Sequence, residues 1–112
     1  MRANSTLQGH VEGENLGDAS LTNIQVRPQG ANITIRDIDI ECATKTCVYT
    51  TYNCSGLVIN NCYIKSGTKN GIKIVADNIS GIIDGINIEY CQIEFGRMGI
   101  ELQNHKNSQY KI

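Results

Sequence analysis

A chain of 112 residues is one small domain or a piece of a larger one. Its 10 basic and 11 acidic residues leave a formal charge of −1, which supplies no electrostatic drive toward nucleic acid or an anionic membrane surface. The sequence has no apolar run near the roughly 20 residues of a membrane span, and its composition excludes a collagen-like fibre.

Residues 1–20 (MRANSTLQGHVEGENLGDAS) are polar and Gly-rich. They contain neither the apolar stretch of a secretory signal nor an amphipathic capping helix. They are expected to form a loop or partial coil ahead of a repetitive region spanning 21–112.

That region repeats. Residues 32–42 (NITIRDIDIEC), 56–66 (GLVINNCYIKS) and 85–95 (GINIEYCQIEF) align without gaps. The apolar columns are Ile33/Leu57/Ile86, Ile35/Ile59/Ile88, Ile38/Cys62/Cys91 and Ile40/Ile64/Ile93. Ile33 to Leu57 is 24 residues and Leu57 to Ile86 is 29; a further column, Ile24/Val48/Ile72/Ile100, steps by 24, 24 and 28. The period is therefore 24, with four or five residues inserted once near 77–84 (DNISGIID).

Within each repeat the pattern is that of β-strands. Ile33-x-Ile35 and Ile38-x-Ile40 alternate with period two. Between them Arg36-Asp37, Asn60-Asn61 and Glu89-Tyr90 shift the alternation by one residue, as a tight two-residue bend does when both flanks face inward. Asn suits such a bend because it tolerates the left-handed conformation. A third strand follows at Cys47–Tyr49, Gly71–Val75 and Gly99–Gln103. Three short strands cannot bury their own apolar face, but coils stacked about 4.8 Å apart can, each buried Ile or Leu contributing roughly 1.5–3 kcal/mol. Outward positions then pair as Glu41/Lys65/Glu94 and Lys73/Glu101. The expected fold is all-β: a parallel β-helix of about four coils of 24 residues. Tyr110 and Ile112 read as inward positions of a further strand, so the chain is expected to continue into a longer solenoid or to be covered by other chains at its ends.

Cys62 and Cys91 fall in the Ile38 column and are expected inside, as is Cys42. Cys47 has outward parity and Cys54 lies in a turn. The five cysteines form no zinc-type spacing, and reduced structural thiols are expected, with one disulfide among Cys42, Cys47 and Cys54 as the alternative. Asn4, Asn32, Asn53 and Asn78 begin N-x-S/T triplets, which chance explains in a chain rich in these residues.

The segments GLVINNCYIKSGTKNGIKI and GINIEYCQIEFGRMGIELQNH resemble the right-handed parallel β-helix of the pectate-lyase-like superfamily, over about residues 21–105. The resemblance implies a sharp bend between two sheets at Asn60-Asn61, and a groove over the third strand. Asn70-Gly71-Ile72-Lys73-Ile74-Val75 is similar to the N-G-x-R-I-K motif of polygalacturonase-type hydrolases, but Lys73 replaces the Arg and Val75 the Lys. The paired aspartates and the G-H-G motif of those enzymes have no counterpart.

Chemistry-bearing residues gather in the last repeat. Outward alternation exposes Glu101 and Gln103, Arg97 precedes the strand and His105 follows it, and Lys73 and Tyr49 stack beside Glu101. Planar amide, guanidinium and carboxylate groups with a ring to stack on are what sugar recognition requires. Glu101, His105 and Arg97 are the candidate catalytic residues, and Tyr49, Lys73 and Gln103 the candidate substrate-binding ones. Whether the site is catalytic stays open, since a glycosidase needs two carboxyl groups across one bond and only Glu101 lies on this strand. No metal or cofactor is expected. The resemblance implies a polysaccharide or host-surface glycan as partner, an extracellular or virion location like that of phage tailspikes, and a homo-oligomer, trimeric by that analogy. A fragment of a polysaccharide hydrolase or lyase, and a structural solenoid spacer, are the alternatives.

Overall fold

The structure is a computed structural model describing residues 1–9, 19–76, 81–104 and 108–111. The described residues form thirteen strands and no helix. An N-terminal rung contains β1 (Thr6–Gln8) and β2 (Ser20–Thr22). The next coil contains β3 (Thr34–Arg36), β4 (Asp39–Cys42) and β5 (Val48–Thr50). The third contains β6 (Val58–Asn60), β7 (Tyr63–Ser66), β8 (Ile72–Ala76) and β9 (Gly81–Asp84). The last contains β10 (Asn87–Glu89), β11 (Gln92–Glu94), β12 (Ile100–Asn104) and β13 (Ser108–Lys111).

Every pairing is parallel, and each joins a strand to its equivalent one coil away: β1-β3-β6-β10, β2-β4-β7-β11, β5-β8-β12 and β9-β13. The chain is a parallel β-solenoid. Register follows the repeat columns: Ile35↔Ile59↔Ile88, Ile40↔Ile64↔Ile93 and Val48↔Ile72↔Ile100. Glu41, Lys65 and Glu94 also share one row. The segment near 77–84 supplies β9, which β13 pairs with, so the added residues build a short fourth face.

The bends have the expected backbone. Asp37, Asn61 and Tyr90, the second residue of each pair, have φ of 58°, 52° and 55°. Three left-handed residues in one row let the chain turn a sharp corner in each coil, and the Asn61 amide donates to the Asp37 carboxylate below it at 2.9 Å. A second such row runs through Asn4, Asn32, Gly56 and Gly85, with φ of 61°, 58°, 76° and 75°. Two of the N-x-S/T asparagines thus occupy left-handed corners, and the Asn32 amide lies 3.3 Å from the Asn4 side-chain oxygen.

The core runs along the stacking direction. Ile33, Ile35, Ile40, Leu57, Ile59, Ile64, Ile72 and Ile74 are fully buried. Their counterparts on the last coil, Ile88, Ile93 and Leu102, are only partly buried, and Ile100 is 44% exposed. The column is the same in both cases, but the outermost members have a neighbour on one side only.

Three expectations are corrected. The winding makes about three turns rather than four, because the N-terminal rung is partial: its third face is a single bridge, Val26 to Val48. For the same reason Ile24 is not the first member of the Val48 column. It is 54% exposed, and Val26 is buried in its place. From Leu21 to Val26 is five residues, whereas the equivalent corner from Ile40 to Val48 takes eight, so a 24-residue offset fails there. Finally, Cys47, expected to face outward, is fully buried. Cys47 shares its row with Gly71 and Gly99 at a corner where strand parity does not hold; its Sγ donates to the carbonyls of Lys65 (3.1 Å) and Ile40 (3.6 Å). All five cysteines are free thiols.

Candidate functional site

The three-stranded face β5-β8-β12 carries the predicted residues. Outward alternation puts Tyr49, Lys73 and Glu101 side by side on adjacent coils. The loops entering the strands bring Lys45, Lys69 and Arg97 to the same edge. Together with Gln25, Thr44, Thr46 and Asn70 they line a groove of about 340 Å³. The ring of Tyr49 forms part of its wall, with the Arg27 guanidinium 5.0 Å from the ring centroid, a cation–π distance. Gln25 closes the far side by donating to the Thr46 carbonyl at 2.9 Å.

Glu101 ties the groove together. One carboxylate oxygen receives the Asn70 amide at 2.7 Å and stands 3.5 Å from both Lys73 Nζ and the Arg97 guanidinium. The Glu101 side chain is 18% exposed and that of Lys73 23%, whereas Arg97 reaches into solvent at 58%. The Asn70 hydrogen bond, followed by the nearby charges of Lys73 and Arg97, holds the Glu101 carboxyl below the usual carboxylate range. It is therefore a fixed anion at neutral pH and a poor proton donor.

Asn70 is the residue that strand parity does not single out. It precedes Gly71 at the mouth of β8, is almost fully buried, and its own carbonyl receives the Cys47 amide at 3.3 Å. Its side-chain oxygen has no hydrogen-bond partner. That oxygen is shielded from solvent, so it costs free energy and offers no acceptor to an incoming ligand. The signal was present in the sequence as the Asn-Gly pair of the hydrolase-like motif.

The structure thus brings together Tyr49, Lys73, Arg97 and Glu101. Gln103 lies on the same strand, opposite Val75, and does not line the groove. His105 lies outside the described residues. Lys45, Lys69, Asn70 and Gln25 are additions. Four cations line the groove, and no acidic side chain is among its described lining residues. A second groove, of about 380 Å³, follows the sharp corner past Asp37, Asp39, Asn61, Tyr63 and Tyr90. It is the roomier of the two, but its lining includes neither a cation nor a buried unsatisfied group, so the smaller groove has the more specific chemistry.

Fold and groove define the class: a parallel β-solenoid with a cationic, partly aromatic groove across one sheet. Comparison with known protein families, curated proteins and solved structures yields no match to this chain.

Proposed function

We propose that this chain is a carbohydrate-contacting β-helix module of the pectate-lyase-like kind, and that the β5-β8-β12 groove takes an acidic glycan. The observation that carries the reading is the convergence of Lys45, Lys69, Lys73 and Arg97 on one groove, with the Tyr49 ring in its wall. Lysine and arginine supply donors for sugar carboxylates or sulfates, and the Arg side chain can do so in bidentate fashion. Tyr49 offers an apolar face. Glu101 serves as a positioning anion for Asn70, Lys73 and Arg97. One immobilised carboxylate does not make a glycosidase pair, which favours binding over cleavage. A virion or extracellular setting and side-by-side oligomers, as in tailspike shafts, are part of the same proposal.

The test is titration calorimetry with an oligogalacturonate and a neutral dextran oligomer of equal length, repeated for Lys73→Gln and Arg97→Gln. Expected are binding of the acidic oligomer, an affinity drop of about tenfold in each variant, and further weakening with salt. Equal affinity for the neutral oligomer refutes the charge assignment, and no binding of either refutes the reading. Release of new reducing ends from the acidic oligomer favours the hydrolase alternative.

A further inference from the structure

Cys62 and Cys91 form a second chemical feature, remote from the groove. They occupy the same position on adjacent coils, immediately before Tyr63 and Gln92, which pair in register. The Gln92 amide donates to the Cys62 carbonyl at 3.0 Å, so the two backbones run side by side. Their thiols also take equivalent orientations. The Cys62 Sγ points to the carbonyls of Asn60 (3.3 Å) and Ile35 (3.7 Å), and the Cys91 Sγ to those of Glu89 (3.2 Å) and Ile59 (3.6 Å). Neighbouring parallel strands set Cα atoms about 4.8 Å apart, within the span a disulfide bridges.

The two sulfurs differ in access. Cys91, on the outermost coil, is partly exposed. Cys62 is one layer deeper, 4% exposed, and borders the corner groove between Asn61 and Tyr63. We propose that Cys62 and Cys91 are an oxidation site: Cys91 reacts with a hydroperoxide and Cys62 resolves the product into a disulfide that staples the last coil to the one before it.

The steps balance. The Cys91 thiolate attacks the outer oxygen of ROOH, the O–O bond breaks, and the alkoxide leaves as ROH with the thiol's proton. The sulfur is now a sulfenic acid. Cys62 sulfur attacks it, the S–S bond forms, the S–O bond breaks, and hydroxide departs with the Cys62 proton as water. Two thiols are oxidised and one peroxide is reduced to ROH and water.

The electrostatics agree with this division of roles. Contact with the Cys62 thiol first, then backbone groups of Cys62 and Asn61, holds the Cys91 thiol below the ordinary range of a free cysteine. The same contact, with burial, pushes Cys62 upward; the first proton loss belongs to the pair, and the more exposed Cys91 is the sulfur that a hydroperoxide reaches. The other thiols are poor competitors. Cys47, which touches Cys42, is pushed up to about 12 by burial, and Cys54 to about 11; all three are fully buried.

The experiment treats the reduced full chain with a small excess of hydrogen peroxide, alkylates the remaining thiols under denaturing conditions, and maps the peptides by mass spectrometry. Expected are a drop from five free thiols to three, a Cys62–Cys91 linked peptide two hydrogens lighter than its parts, and a higher melting temperature. Cys62→Ser is expected to stop at a dimedone-reactive sulfenic acid on Cys91, and Cys91→Ser to leave Cys62 unmodified at that dose. The proposal is overturned if the wild-type chain keeps five thiols, or if the first link joins Cys42 to Cys47, involves Cys54, or connects two chains. The wild-type map decides the matter even if a serine variant fails to fold.

Discussion

Ile72 and Ile100 are register partners in one column, two side chains of the same type in the same strand position on neighbouring coils. Truncating each to alanine isolates the effect of stacking. Ile72 is fully buried, so the three lost carbons remove about 2.4 kcal/mol of transfer free energy at about 0.8 kcal/mol per methylene. The cavity left between two coils raises the cost to about 3–4 kcal/mol. Ile100 is 44% exposed, which scales the transfer part to about 1.3 kcal/mol, and no closed cavity forms because one side is open. Ile72→Ala is therefore expected to cost about 2 kcal/mol more than Ile100→Ala. In urea unfolding this appears as a lower midpoint at similar slope, and in thermal melts as an extra fall of about 8 °C for a domain of this size. Losses equal within about 0.5 kcal/mol, or a larger loss for Ile100→Ala, refute the stacking order.

Four further outcomes are expected. Gly71→Ala places a Cβ against the Ile93 side chain and 2.8 Å from the Gly99 carbonyl, and by overpacking should cost about 1–3 kcal/mol in denaturant unfolding. Asn61→Ala should cost about 1–2 kcal/mol more than Asn61→Gly, because both lose the amide bond to Asp37 but only alanine strains the positive φ. The Tyr110 hydroxyl lies 2.9 Å from the Ile74 carbonyl and 2.8 Å from that of Gln103, so Tyr110→Phe should cost about 1 kcal/mol. Burial first of all pushes that phenol to about 12; its stabilisation is present below the ordinary value near 10 and is lost as pH rises toward 12, so alkaline melts should converge on those of the variant. Glu101 has the opposite sign: its folded pKa is lowered, its contribution is present above about pH 4.3 and disappears as pH falls through the folded value. Melting temperatures of Glu101→Gln should thus approach the wild-type ones below about pH 4.

The candidate site was partly legible before any coordinates. Tyr49, Lys73 and Glu101 could be read because period-two alternation and a shared column decide both face and neighbour. Lys45 and Lys69 could not, and Asn70 was marked only by its place in the hydrolase-like motif. They lie in the loops before β5 and β8, where no periodicity assigns a direction, and only the folded corners turn them toward one groove. Cys47 shows the same limit: counted along the strand it faces out, yet the chain is still turning at that position and the thiol goes inside.

What the amino-acid order determined alone is the solenoid itself. Identical spacing of Ile35, Ile59 and Ile88 and of Ile40, Ile64 and Ile93 admits one register, because a slip of one residue would turn every aliphatic side chain to solvent. The tertiary structure decided what happens where that spacing breaks. It shortened the first corner so that Val26 rather than Ile24 enters the core. It also made the added residues into a fourth face, and left the last coil half-covered. The physical reason is that a repeat specifies contacts between equivalent positions, while corners, insertions and end coils have no equivalent to copy and settle by packing and hydrogen bonding in three dimensions.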